Sequence, residues 1–227
     1  MNIQQHKKKQ EINKDPVLER IIKTKEYISK NSTAVIISVV AVIVVAVGAV
    51  LYYNAKESSI RNAQEIFGTA MIDYNANDLD KALKAFTEVA NQYSKTPHGV
   101  MSAFMIGSIY MQQQNFDQAI DWFETAVQDR QMAGFVGAQA LEGLAAAYEA
   151  KGDVSMAMDY LNKALADEKL RYRHPAVRWK LALLNQESNV ELAEKMCEEL
   201  ISDTLATAYH QRAKNLIAVL NVAKADS

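Results

Sequence analysis

The sequence predicts an all-α protein: a single N-terminal transmembrane helix, then an α-solenoid of about four helix pairs closed by a C-terminal capping helix. Three observations carry this. The 227 residues include only 3 Pro and 8 Gly, and abundant Ala, Leu, Lys, Glu and Gln favour helix. No stretch alternates apolar and polar residues between turn signals, as strands would. One uncharged apolar run near the N-terminus is followed by a pattern that returns every 36 to 38 residues.

In chain order, residues 1–14 read as a disordered cytoplasmic tail. Residues 15–31 form an amphipathic juxtamembrane helix, "DPVLERIIKTKEYISKN". Asp15 caps it and Pro16 suits its first position. Leu18, Ile21, Ile22, Lys25 and Ile28 recur at helical spacing beside lysines, which fits either a surface-lying lead-in to the membrane or a docking helix.

Residues 32–54 hold the anchor. Ala34 to Tyr53 is 20 residues long, and at about 1.5 Å per residue it matches a hydrocarbon core of about 30 Å. A soluble helix would keep a polar face, but Ser38 is the one polar residue before the terminal tyrosines, and its hydroxyl can bond back to its own helix. The small residues Ala46-Val47-Gly48 leave a cleaved signal as the alternative, although the apolar run continues past them and a long segment precedes it.

Charge orients the anchor. Residues 1–53 carry 8 Lys/Arg against 4 Asp/Glu, a balance of +4, whereas residues 54–227 carry 17 against 23, a balance of -6. The positive-inside rule then puts the N-terminus in the cytoplasm and the repeats on the outer side, periplasmic in a bacterium. The acidic balance of the larger part argues against nucleic acid as a partner. Cys197, the single cysteine, forms no internal disulfide and reads as a small buried apolar residue.

Residues 57–227 form the solenoid. "NDLDKALKAFTEV", "QNFDQAIDWFETA" and "GDVSMAMDYLNKA" share one pattern, and "SNVELAEKMCEEL" is a weaker copy. Their alanines, Ala82, Ala119, Ala157 and Ala193, stand 37, 38 and 36 residues apart. Four residues after the alanine comes a larger apolar residue: Phe86, Phe123 and Leu161 in the first three copies. A small residue follows at Ala126 and Ala164. A helix precedes each copy, with Gly107 and Tyr110 in the second and Ala145 and Tyr148 in the third at one spacing. Small residues let paired helices approach while aromatics fill the space between layers. "TLATAYHQRAKNLIAVLNVAKA" then offers the stripe Leu205, Tyr209, Ala213, Leu216, Ile217 and Leu220 as a cap.

This pattern resembles the tetratricopeptide repeat (TPR), a helix pair of 34 residues with small and aromatic residues at set places. The second copy matches best, through Ile106, Gly107, Tyr110, Ala119, Phe123 and Ala126. The resemblance implies that the first helix of each pair lines a partner-binding groove. Carried over residue by residue, that groove has Phe67, Met71 and Tyr74, then Met101, Phe104, Met111 and Gln112. Glu142 and Glu149 follow in the third repeat, and Arg178 and Asn185 in the fourth. Each of these residues either meets a partner or packs against the next repeat. The clamp that grips chaperone tails needs Lys, Arg and Asn here, where this chain has Phe67, Met71, Phe104 and Ser108.

No catalytic, cofactor or metal site is expected. His6, His98, His174 and His210 lack ligand spacing, no phosphate loop or nucleophile elbow is present, and Glu198 and Glu199 read as solvated. A basic lead-in, one membrane helix and an acidic repeat array are together similar in layout to the bacterial family of ancillary SecYEG translocon subunits (YfgM-like). That resemblance implies a scaffold or adaptor at the inner membrane that binds the Sec translocon or periplasmic chaperones. The alternative is a structural coordinator of envelope assembly or division acting through self-association into a homo-oligomer.

Overall fold

The structure is a computed structural model that describes residues 16–128 and 130–225, without the side chains of 130–135. The tail at 1–14 and the Asp15 cap lie outside the described residues. The described residues hold ten α-helices and no strand. The chain divides into two compact units, Met1–Glu57 and Ser58–Ser227.

The first unit contains α1 (Pro16–Lys30) and the start of α2 (Ser32–Asn75). The hydrogen-bond ladder continues through Asn31: its N–H donates to Tyr27 O at 2.9 Å, and its carbonyl accepts from Val35 N–H at 3.0 Å. Ser38 Oγ donates to Ala34 O at 2.8 Å, so its hydroxyl is satisfied inside its own helix. Every large apolar residue from Ile36 to Tyr53 is exposed, Val45 at 72% among them. No other described helix is long and apolar enough to cross a membrane, and none of the apolar window of α2 is buried inside the protein.

The sequence reading ended the anchor at 54 and began the solenoid at 57, but α2 runs unbroken from Ser32 to Asn75. Nothing between Tyr53 and Asn75 stops a helix: no proline occurs, and Gly68 is the single glycine. The first helix of repeat one is therefore the C-terminal part of α2.

In the second unit that segment pairs with α3 (Leu79–Gln92). Next come α4 (Pro97–Gln112) with α5 (Phe116–Gln128), α6 (Arg130–Ala150) with α7 (Val154–Ala166), and α8 (His174–Asn185) with α9 (Val190–Ser202). Helix α10 (Thr207–Ala225) packs on α9 and, less, on α8.

The turns inside the first three pairs share one construction. Asn77, Gln114 and Gly152 have φ of 61°, 57° and 83°, the left-handed value that reverses a helix end. Around them the bonds follow a Schellman pattern: Asp78 N–H donates to Asp73 O, Asn115 to Tyr110 O and Asp153 to Tyr148 O. The residue that closes one helix then opens the next, since Asp78 accepts from Lys81 N–H and Asp153 from Met156 N–H. The fourth pair departs, because Asn189 N–H donates to Asn185 O without a left-handed residue before it.

The cap differs in one place from the stripe read in sequence. Ala213, Leu216 and Leu220 are buried and Tyr209 and Ile217 half-buried, but Leu205 is 67% exposed. Leu205 lies in a short 3-10 turn, Thr204–Ala206, which precedes α10 and breaks the helical period.

Candidate partner-binding cleft

The repeat positions form the core that shapes the exposed face. Ala82, Ala119, Ala157 and Ala193 are fully buried, as are Ala126 and Ala164. Phe86, Phe123, Leu161 and Cys197, each four residues after its alanine, are buried too. Phe123 shows the geometry most clearly. A Cβ on Gly107 would lie 2.7 Å from its ring, and one on Gly143 would lie 2.8 Å from it. The ring is thus seated between α4 of its own repeat and α6 of the next, and either glycine is the condition for that approach. Tyr110 is half-buried against the same core, and Tyr148 stacks on Tyr160 at 5.5 Å.

Beside this seam lies an open cleft of about 330 Å³ between the first helices of repeats two to four. Phe104 and Met111 line it from α4, and Gln139, Glu142, Gly143 and Ala146 from α6. Arg173, from the 3-10 turn Glu168–Arg173, and Lys180 of α8 close the charged end. Glu142 is 7% exposed yet fully paired. Arg173 Nε donates to Glu142 Oε1 at 2.8 Å and Nη2 to Oε2 at 2.9 Å, the fork geometry of a strong pair. Lys180 Nζ approaches Oε2 at 3.4 Å. These bonds push the Arg173 guanidinium above its ordinary pKa, so it keeps its charge.

The residues read as groove lining separate into distinct places. Phe104, Met111 and Glu142 meet in the cleft. Tyr74 and Gln112 meet each other: Gln112 Nε2 donates to Tyr74 Oη at 2.7 Å, across repeats one and two. Met101 is half-buried and Glu149 exposed. Phe67 packs inward, its ring 5.4 Å from both Phe86 and His98, and Met71 joins the same core. Two more of these residues are engaged within the protein. Asn185 is buried, its amide donating to Leu181 O and Met158 Sδ, because it seals the seam between repeats three and four. Arg178 turns away to Glu199 and Asp203, tying α8 to the end of α9, so Glu199 is paired rather than freely solvated.

Reading along the sequence missed Gln139, Gly143, Arg173 and Lys180. Gly143 carried a signal, since it stands one place before the Leu144-Ala145 pair already aligned with Ile106-Gly107. Arg173 and Lys180 carried none, because they reach Glu142 from another repeat. Two of the histidines, His174 and His210, share one placement. His174 Nε2 lies 3.3 Å from Asp167 O, and His210 Nε2 lies 3.0 Å from Asp203 O. Both connectors therefore use the same Asp-x6-His spacing, 36 residues apart, so the entry to α10 repeats the entry to α8. Among the described residues no cluster of His, Cys, Asp or Glu is arranged to hold a metal ion.

Paired helices stacked through a repeated small-and-aromatic seam define a helical repeat protein whose exposed cleft suits protein partners. The profile of the Tetratricopeptide repeat-like domain matches residues 25–171, more than half of the chain, and the chain belongs to that family. No curated protein matches it.

Proposed function

We propose that the protein is a membrane-anchored TPR adaptor. Its apolar helix crosses the inner membrane once, with the N-terminus cytoplasmic, and its repeats capture protein partners on the outer face. The observation that carries the reading is the apolar part of α2, which has no protein cover on any side. In water that surface would be left wet, whereas in lipid it is satisfied and the backbone bonds itself. The family match begins at residue 25 and so includes this helix with the repeats, which supports one functional unit. Tethering raises the effective concentration of the repeats near membrane partners, so each cleft contact need only be weak. Protein export or envelope protein biogenesis is the setting this layout fits, as an accessory of the translocon.

Two measurements test it. The full-length protein should stay in the membrane pellet after alkaline carbonate extraction, and its repeats should be digested by protease added to spheroplasts. Release by carbonate, or protection from protease, defeats the anchor or its orientation. A photocrosslinker in place of Ala146 should capture a translocon or chaperone subunit in cells. Capture of neither defeats the export setting.

A further inference from the structure

We propose that the cleft between α4 and α6 takes an extended peptide segment of defined chemistry: a large apolar side chain close beside an acidic one. This rests on the cleft being the partner site. The Phe123 ring fills the space over Gly143, so the room lies beside Ala146, which adds little bulk, and Phe104 and Met111 supply an apolar wall, so a large apolar side chain finds contact there. The opposite end is cationic. Glu142 has both oxygens engaged by Arg173, and its side chain is 8% exposed, whereas that of Lys180 is 42% exposed. Two cations facing one occupied carboxylate leave a local excess of positive charge, in a part of the chain that carries 17 Lys/Arg against 23 Asp/Glu.

Lys180 has three donors and one long contact with Glu142, so a second carboxylate completes its shell. Glu149, exposed on the same helix beyond Ala146, repels an acid at the other end, so the acidic side chain belongs at the Lys180 end. One accessible ammonium matches a side-chain carboxylate within a peptide rather than a chain terminus, which would need several converging donors.

The test is a random heptapeptide display library panned on the full-length protein in lipid nanodiscs, with wild type and Lys180→Gln in parallel. Arg173 still pairs with Glu142 in the variant, and an unchanged melting temperature confirms it folds. On wild type, an acidic residue beside a large apolar one should be enriched about fivefold, the ratio that about 1 kcal/mol supports. On Lys180→Gln the acidic preference should vanish while the apolar preference stays, and Lys180→Arg should restore it. An apolar consensus without acid on wild type overturns the proposal and leaves the cleft reading standing. An acid preference that survives Lys180→Gln overturns it as well. No enriched peptide at all overturns both.

Discussion

The seam around Phe123 and the seam around Cys197 occupy the same place in their repeats, four residues after the alanine, yet they are built oppositely. In repeat two the inserted side chain is large and its seat is glycine, Gly107 on one side and Gly143 on the other. In repeat four the inserted side chain is small, and Leu200, Leu216 and the half-buried Trp179 supply the bulk of the surrounding core. Phe86 and Phe123 are equal in size, Leu161 is smaller and Cys197 smaller again, yet all four are at most 2% exposed. The repeat therefore preserves packing density rather than residue identity.

The largest expected effect breaks the first seam. Phe123→Ala should cost about 3–5 kcal/mol, because a stiff backbone on both sides cannot collapse into the space left. Cys197→Ala should cost about 1 kcal/mol, since one sulfur is removed from a core of adaptable side chains. Urea unfolding of the full chain in detergent measures both. Trp122 and Trp179, the two tryptophans, report repeats two and four respectively. Equal losses at the two sites would show that the seams are energetically alike and the contrast empty.

Glycine gives the next contrast, and here the sign decides. Gly107→Ala places a methyl 2.7 Å from the Phe123 ring, an overpacking cost of about 1–3 kcal/mol that outweighs the ~1 kcal/mol alanine gains in a helix. Gly68→Ala on α2 meets nothing within 4 Å, so only the helix gain of up to about 1 kcal/mol remains. Melting temperatures should move in opposite directions. A gain at Gly107 would mean that the Phe123 ring shifts freely, contrary to its burial.

These contrasts mark what a linear reading reaches. The alanine spacing, the apolar residue four places on and the turn before them all lie within one helix pair, so helical periodicity exposes them. The seating of Phe123 against Gly143 joins two repeats, as does the pairing of Glu142 with Arg173, and no periodicity within a pair encodes either. For the same reason the place of Asn185 on α8 leaves groove and packing both open, and only Met158 of the preceding repeat, against its amide, decides between them. The continuity of α2 was equally hidden: the change of composition near Lys56 does mark the division between the two compact units, but it carries no sign that one helix runs through it.

Smaller effects belong to the turns. Gln114 takes a left-handed φ of 57° at the place where Gly152 has 83° in the next repeat. Gln114→Gly should raise stability by about 1 kcal/mol, and Gly152→Ala should lower it by a similar amount. Two shifts of the same sign would mean that the turns are not equivalent.

The subtlest test separates repeat three from its neighbours by pH. Tyr160 sits three places after Ala157, where repeats one, two and four have Ala85, Trp122 and Met196, so in that position only repeat three carries a titrating group. Its hydroxyl donates to Glu124 Oε1 at 2.8 Å, which joins α7 to α5. Burial first, and then that bond to a carboxylate, push the phenol well above its ordinary value. The folded state therefore keeps a proton that the unfolded chain releases near pH 10. The stabilisation is fully present below that pH and is lost as pH rises through the folded value. Between pH 9 and pH 11 the urea midpoint of wild type should fall more steeply than that of Tyr160→Phe, which keeps the ring stacked on Tyr148 but has no proton to lose. Other phenols and lysines titrate in both proteins, so the difference between the two slopes isolates Tyr160. Parallel slopes would mean that the hydroxyl is solvated and that Glu124 does not hold repeats two and three together through it.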